Sequence, residues 1–143
     1  MEHRREILGI SGWELITPLL ERAPESIMET AQKCESPIEQ VFVCALGLVA
    51  LAMPEAKRPS LSVQVPIGKY RADIVLTGHN GAPRIVVECD GAEFHKDKAR
   101  DAKRTAVIER HGYHVVRVTG SEIHHNPLGR ASALLREVGL ATH

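Results

Sequence analysis

The chain has 143 residues, a length typical of one domain with a hydrophobic core, and only 3% of them are aromatic, so that core has to be aliphatic. No apolar run approaches the roughly 18 residues of a membrane-spanning helix, and the N-terminus lacks the apolar stretch of a signal peptide, so no membrane partner is expected. The formal net charge is +0 at pH 7, so the composition as a whole does not indicate a nucleic-acid-binding protein.

The charge is unevenly distributed along the chain. Residues 1–55 contain 4 Lys/Arg and 9 Asp/Glu, whereas residues 96–143 contain 9 Lys/Arg and 5 Asp/Glu. A basic surface for nucleic acid would therefore have to be local and come from the C-terminal half. The three cysteines, Cys34, Cys44 and Cys89, form no CxxC motif, which predicts reduced thiols in a cytoplasmic protein.

Residues 1–35 are predicted to form a helical extension that precedes a domain over residues 36–143. Apolar residues recur at helical spacing on both sides of Pro18, which predicts a helix boundary or a kink there. A second short helix is predicted from Pro24 to Lys33. The expected role of this segment is packing on the core or shaping a partner surface.

A helix start is predicted at Ser36, with Pro37 in the first helical position. Ser36 is a good N-cap residue, and Glu39 stands where a capping box requires a glutamate. The residues that follow are apolar almost all round, which is typical of a buried helix. From these residues alone, capping explains Glu39.

Short β-branched runs and turn residues predict the sheet. Gly68-Lys69 separates two strand-like runs and indicates a hairpin, and Pro66 indicates an edge strand. Gly112 is expected to end a helix, and His124-His125 are predicted to lie in a loop. The order helix, three strands, helix, strand, helix predicts an α/β fold with a mixed sheet of about four strands flanked by helices. The predicted elements are strands over Leu61–Ile67, Tyr70–Leu76, Ile85–Val87 and Tyr113–Val118, a helix over Lys96–His111, and a terminal helix from Asn126.

Three acids lie near apolar strand residues. Asp73 stands inside the second strand, where propensity disfavours an acid. Glu88 and Asp90 follow the third strand at positions i and i+2, so both side chains leave the same face. If the strands pair, the three acids converge, and hard oxygen ligands on rigid strands favour Mg²⁺ over Zn²⁺. The alternative is a strand end that simply reaches water.

At these residues the chain resembles the PD-(D/E)XK nuclease superfamily, and more closely its very short patch repair endonuclease-like branch. The likeness covers roughly Ser36 to Val138. Two positions depart from the family pattern: Ala72 replaces the motif's proline, and Asp90 replaces its lysine, which bears on the water-activating step. The residues that carry the resemblance are Ser36-Pro37-Ile38-Glu39, Arg71-Ala72-Asp73, Glu88-Cys89-Asp90-Gly91, Phe94-His95, Asp97-Lys98-Ala99-Arg100-Asp101, Gly112-Tyr113 and Val115-Val116-Arg117.

The resemblance implies a restriction-endonuclease-like core and a metal-dependent endonuclease that uses Mg²⁺ or Mn²⁺ and acts on nucleic acid, with DNA as the expected polymer. Because duplex-cutting enzymes often work as dimers, a homodimer is a further expectation. The implied catalytic residues are Asp73, Glu88, Asp90, His95 and Glu39, and the implied metal ligands are Asp73, Glu88, the Cys89 carbonyl and Asp90.

The helix after the third strand carries the candidate phosphate contacts Lys96, Arg100 and Arg104, to which Lys69 and Arg71 are added. An ordinary solvated helix with ion pairs three and four residues apart explains the same charges. A catalytically inactive nucleic-acid-binding or protein-interaction module on the same fold is the alternative function. No histidine or cysteine spacing matches a zinc site, and no phosphate-binding glycine motif is present.

Overall fold

The computed structural model of the chain describes residues 10–90 and 98–141. Within them, the strands and most helices lie where the polarity pattern predicts them. The elements in chain order are α1 (Ile10–Leu20), α2 (Glu25–Gln32), α3 (Pro37–Leu51), a 3-10 turn (Glu55–Lys57), β1 (Ser60–Ile67), β2 (Tyr70–Thr77), β3 (Arg84–Asp90), α4 (Lys98–Arg110), β4 (Tyr113–Thr119), α5 (Gly120–His125) and α6 (Pro127–Glu137).

The four strands form one mixed sheet in the order β1-β2-β3-β4. A two-residue turn joins β1 to β2, and Gly68 adopts the left-handed φ of 59° that this turn requires. Strand β3 pairs antiparallel with β2 and parallel with β4, which follows α4. This is the predicted α/β fold with a four-stranded mixed sheet and an N-terminal helical segment, and it is consistent with a restriction-endonuclease-like fold.

Helices cover the two faces of the sheet unequally. Strand residues such as Ile74 and Val87 pack on one face against a continuous aliphatic cluster that includes Trp13 of α1, Phe42 of α3 and Leu134 of α6. Helix α4 covers the other face, where Ile108 packs with Ile67, Ala72, Val75 and Val86. None of the helices in residues 10–90 and 98–141 is long and apolar enough to cross a membrane.

Pro18 does not mark a helix boundary. Of the two expectations, a boundary or a kink, the first is wrong, because α1 continues through Pro18 to Leu20. Proline deprives the helix of one hydrogen bond close to its end, where few turns remain to be disturbed. The buried Trp13 and Ile16 hold this helix on the core.

The prediction that His124-His125 lie in a loop was wrong, since they end the short helix α5. Thr119 begins this helix with a complete capping box: its side chain accepts from the Glu122 N–H at 3.1 Å, and Glu122 accepts from the Thr119 N–H at 3.1 Å. Ile123 buries the helix against the core. The next helix, α6, begins as predicted, with Asn126 as its N-cap.

Strand β1 changes the face that it presents to the core halfway along its length. Leu61 and Val63 pack on the face shared with α3, whereas Val65 and Ile67 pack on the face covered by α4. Residues two apart on a regular strand share a face, so the backbone has to rotate between them. The rotation falls at Gln64, whose φ is 53°.

Candidate active site

A charged cavity of about 530 Å³ opens beside the ends of β2 and β3. Its lining comes from the loop before α3, from α3 and α4, from the turn between β1 and β2, and from all four strands. Six acids and four basic residues line it, so the cavity is polar and carries a surplus of carboxylates. Its lining residues are Glu35, Glu39, Gln64, Lys69, Tyr70, Arg71, Asp73, Glu88, Cys89, Asp90, Asp101, Arg104 and Arg117.

Asp73 and Glu88 follow directly beyond the last paired residues of two neighbouring strands. The register of β2 and β3 runs from Thr77–Arg84 to Ile74–Val87. Asp73 precedes Ile74, and Glu88 succeeds Val87, so the two carboxylates lie side by side. The predicted convergence of Asp73 and Glu88 is therefore observed.

The environment of Asp73 disfavours its charged form. Burial, a hydrogen bond with Glu88 and the negative charges of Glu88 and Glu39 together raise the pKa of Asp73 from 3.8 to about 8, while the positive charge of Arg104 opposes the shift. The carboxyl group is therefore mostly protonated at neutral pH. A carboxyl group whose pKa is raised this far by burial and by neighbouring carboxylates is typical of functional sites.

Arg104 holds Glu88 in place. The Glu88 side chain is buried, with 8% of its residue surface exposed. Its Oε1 accepts from Nε of Arg104 at 3.0 Å and from Nη2 at 2.9 Å. Nη2 also donates to the Arg71 carbonyl oxygen at 2.9 Å, so the guanidinium ties α4 to the ends of β2 and β3.

Asp90 has an arginine partner as well, from the neighbouring strand. Nη1 of Arg117 lies 3.7 Å from Oδ2 of Asp90 and 3.8 Å from Oδ2 of Asp101. Nη2 of Arg117 donates to Oγ1 of Thr105 at 3.2 Å. Where the family motif carries a lysine, this chain therefore has a carboxylate that lies beside an arginine of β4.

Glu39 lies at the first turn of α3 and faces the same cavity. Ser36 caps the helix by accepting from the Glu39 N–H at 3.3 Å, and the carboxylate accepts from Nε2 of Gln64 at 3.3 Å. Burial raises the pKa of Glu39, the Ser36 hydrogen bond lowers it, and the charge of Glu88 raises it. A capping position has thus brought a third acid to Asp73 and Glu88.

The donor chemistry of this cavity suits a hard divalent cation, although the side chains are not arranged around one. Asp73, Glu88 and Glu39 supply carboxylate oxygens on two strands and one helix, the ligands that Mg²⁺ and Mn²⁺ prefer. Within residues 10–90 and 98–141, no group of three His, Cys, Asp or Glu side chains has the geometry to hold a metal ion. Glu88 is instead turned toward Arg104.

The residues predicted to contact phosphate differ in their exposure and in their partners. Lys69 and Arg71 line the cavity wall, and Arg71 forms an ion pair with Glu35. Arg100 is exposed on α4, whereas Arg104 turns inward to Glu88. Their contact with nucleic acid stays a prediction. The predicted site residues His95 and Lys96 lie outside the described residues.

Gln64 and Arg117 are among the cavity residues that were not singled out as site residues from the sequence. The sequence gives no indication that Gln64 belongs to the site, because nothing in its strand predicts a positive φ or a contact with Glu39. Arg117 was part of the family resemblance without a role, and its pairing with Asp90 depends on the parallel register of β3 and β4, in which Glu88 pairs with Arg117.

The side chain of Cys89, next to the site, lies on the opposite face of β3 from Glu88 and Asp90. Cys89 packs against the aliphatic cluster on the α3 face, as the alternation of the strand predicts. Burial raises the pKa of the Cys89 thiol well above its usual value, and the carboxylates of Glu39 and Asp73 raise it further. Burial likewise raises the pKa of the Cys34 thiol to about 12.

We expect both thiols to resist modification in the folded protein, because the thiolate is the reactive form. With a thiol-specific disulfide reagent near pH 8, Cys34 and Cys89 should react at least about 10-fold more slowly than in the unfolded chain. Mass spectrometry of peptides after timed quenching measures each cysteine separately. Reaction of Cys34 at the rate of the unfolded chain would contradict the burial of its thiol.

The raised pKa of Asp73 predicts a stability cost at high pH. A carboxyl group with a pKa of 3.8 in the unfolded chain and about 8 in the folded protein contributes stability below the first value and loses it as pH rises through the second. In EDTA, Asp73→Asn should therefore raise the melting temperature by about 3–6 °C above pH 8 and by less near pH 5. Equal gains at both pH values, measured by differential scanning calorimetry, would contradict this electrostatic cost.

Comparison with known proteins identifies the family. The family model described as REase_MTES_1575, a restriction endonuclease-like family, matches residues 52–138, which is more than half of the chain. The chain belongs to this restriction endonuclease-like family. The match includes β1 to β4 and all of α6, and thus Asp73, Glu88 and Arg104. No curated protein and no solved structure matches the chain.

Proposed function

We propose that this restriction endonuclease-like protein is a divalent-metal-dependent endonuclease that hydrolyses phosphodiester bonds, with DNA as its substrate. The observation that carries the proposal is the gathering of Asp73, Glu88 and Glu39 in one cavity, where the pKa of Asp73 rises to about 8. Placing like charges together without full compensation costs stability, and functional sites commonly bear this cost.

Asp73 and Glu88 are the residues that would hold Mg²⁺ or Mn²⁺, together with the backbone carbonyl of Cys89 and, as a further acid, Asp90. An ion at these oxygens supplies Lewis-acid polarisation of the phosphate and lowers the pKa of a bound water. Carboxylate and carbonyl oxygens are the donor types that such hard cations prefer. The surplus of acids over bases in the cavity favours a cation as well.

The basic residues in and near the cavity are the proposed contacts to the phosphates of the substrate. Lys69, in the turn before β2, and Arg71, on β2, line the cavity, and lysine and arginine bind phosphate oxygens through strong charge-assisted hydrogen bonds. Arg100 lies exposed on α4. We expect these residues to orient the phosphodiester, while Asp90, beside Arg117, accepts or holds a proton.

Within the superfamily, we place the chain nearest the very short patch repair endonuclease-like branch. The support is the order of motifs in its sequence: Glu88-Cys89-Asp90-Gly91, then His95, then Arg100-Asp101. In this assignment His95 acts close to the scissile phosphate. DNA repair, restriction and defence all remain compatible settings for such an activity.

Asp90 supports one alternative function, a non-catalytic nucleic-acid-binding or protein-interaction module. The position that carries the motif lysine holds an acid here, and Arg117 lies next to it. Arg104 also forms an ion pair with Glu88, one of the proposed metal ligands. A module of this kind would bind nucleic acid without needing a divalent ion.

A substrate screen separates the two functions. Purified protein is incubated with plasmid, single-stranded DNA, mismatched duplex and RNA, each with Mg²⁺, Mn²⁺ or EDTA. We expect cleavage of at least one DNA substrate with Mg²⁺ or Mn²⁺ and none in EDTA. A gel shift in EDTA without cleavage under any condition would favour the binding module.

A further inference from the structure

Arg104 directs two of its N–H groups at one oxygen of one carboxylate. Nε and Nη2 lie 3.0 Å and 2.9 Å from Oε1 of Glu88, and Nη2 is shared with the Arg71 carbonyl oxygen at 2.9 Å. The guanidinium also lies 5.4 Å from the centre of the Tyr70 ring. These contacts position the cation over the end of β3, next to Asp73.

Glu88 therefore has two competing partners. The proposed metal site needs the Glu88 carboxylate, and Arg104 already uses it through charge-assisted hydrogen bonds, which are the stronger class. Two cations that approach the same carboxylate repel each other. A metal ion at Glu88 would therefore have to displace Arg104 from this carboxylate.

Arg104 is also accessible from the cavity. Its side chain is 25% exposed, against 10% for the side chain of Glu88, and it lines the same wall as Lys69 and Arg71. A phosphodiester in the cavity would offer the guanidinium a second anionic acceptor. Arginine binds phosphate and carboxylate with the same fork geometry.

We propose that Arg104 is a positioning residue that couples metal binding to nucleic-acid binding. Without nucleic acid it holds Glu88 and weakens metal binding; when a phosphodiester binds, the guanidinium transfers to the phosphate and leaves Glu88 to the metal. This inference rests on the proposed metal-dependent function. The coupling is reciprocal, so metal strengthens nucleic-acid binding by the same factor.

The test is a Mn²⁺ titration followed by electron paramagnetic resonance, on the intact chain. Wild type, Arg104→Gln, Glu88→Gln and the double variant are titrated alone, with a short DNA duplex and with RNA of the same sequence. We expect Mn²⁺ to bind wild type about tenfold more tightly when the duplex is present, a typical size for coupled sites. Arg104→Gln should bind Mn²⁺ about tenfold more tightly than wild type without nucleic acid, and the duplex should change its affinity little. If RNA, and not the DNA duplex, increases the Mn²⁺ affinity, the proposed role of Arg104 stands and the substrate is RNA instead of DNA.

The double variant separates competition from a general charge effect. Removing the positive charge of Arg104 strengthens the binding of any nearby cation, whatever residue stands at position 88. Releasing the Glu88 carboxylate strengthens metal binding only when that carboxylate is present. The gain from Arg104→Gln should therefore disappear in the Glu88→Gln background, and Arg104→Lys, which keeps the charge and loses the fork, should show part of the gain. Arg110→Gln removes an exposed charge near the end of the same helix and should leave the Mn²⁺ affinity within about twofold of wild type, since exposed charges are screened.

Each result decides something different. Equal Mn²⁺ affinity in wild type and Arg104→Gln, with no effect of DNA or RNA, would overturn the role of Arg104 and leave the metal site standing. A gain that persists in the Glu88→Gln background would overturn it too. Loss of Mn²⁺ binding in every protein and condition would contradict the proposed function itself.

Discussion

Replacing Asp73 by asparagine is expected to reduce DNA cleavage by about 10³-fold or more. Asp73 is one of the residues that would hold the metal, and asparagine removes its charge while nearly keeping its shape. The metal contributes several kcal/mol to the transition state, and about 4 kcal/mol corresponds to a 10³-fold change in rate. The measurement is the single-turnover rate on the best substrate, with Mg²⁺ and with Mn²⁺.

Two controls distinguish a lost ligand from a lost fold. Glu109→Gln neutralises an exposed acid on α4 that is remote from the cavity lining, and it should cleave at a rate within about twofold of wild type. Asp73→Asn itself should melt at the same or a higher temperature than wild type, since it relieves the surplus of negative charge. A stable Asp73→Asn protein that cuts as fast as wild type would refute the assignment of Asp73.

Replacing His95 by alanine is expected to reduce cleavage by roughly 10²–10⁴-fold, the usual contribution of a general acid or base. A histidine with an unperturbed pKa near 6.5 suits proton transfer at neutral pH. The family resemblance assigns His95 to the scissile phosphate, where it donates a proton to the leaving oxygen or orders the attacking water. The Mn²⁺ affinity should change less than in Asp73→Asn, because the acids remain.

The His95 assignment is tested by measuring cleavage and Mn²⁺ binding in parallel. A His95→Ala protein that cuts at the wild-type rate has no proton-transfer role at this position. A His95→Ala protein that loses Mn²⁺ as completely as Asp73→Asn identifies the histidine as a ligand. In that second case the acid–base role passes to Asp90.

Local sequence signals predicted much of the fold. Gly68-Lys69 predicted the hairpin because glycine tolerates the positive φ of its turn. Ser36 and Pro37 predicted the start of α3 because a side-chain cap and a fixed φ suit the first helical turn. The hairpin and the helix between the last two strands also predicted a mixed sheet, whereas the order of its strands comes from the structure.

The convergence of the acids was predictable only in part. Asp73 and Glu88 stood out because an acid in an apolar strand needs a reason, and both do line the cavity. The change of face at Gln64 was not predictable, since a glutamine at a φ of 53° is rare and no glycine marks the position. This rotation matters because regular alternation alone misplaces the residues of β1 relative to the site.

The arginine partners of the acids depend on contacts distant in sequence. Arg104 is 16 residues from Glu88 and 33 from Arg71, yet it bonds to both. Spacing on a helix predicts partners three or four residues away, and so it favoured Asp101 and Arg100 as neighbours of Arg104. Packing of α4 across the sheet decides the actual partner, and such packing cannot be deduced from periodicity.

Iron-directed cleavage of the protein chain tests most directly whether a divalent ion lies between β2 and β3. Fe²⁺ replaces Mg²⁺ in the presence of a short DNA duplex, ascorbate and peroxide generate hydroxyl radicals at the bound ion, and mass spectrometry locates the cuts. We predict cuts close to Asp73 and to Glu88–Asp90, suppressed by excess Mg²⁺ and lost in Asp73→Asn. An uncut chain would contradict the metal site proposed for this protein, and so would cuts that are unchanged both by excess Mg²⁺ and by Asp73→Asn.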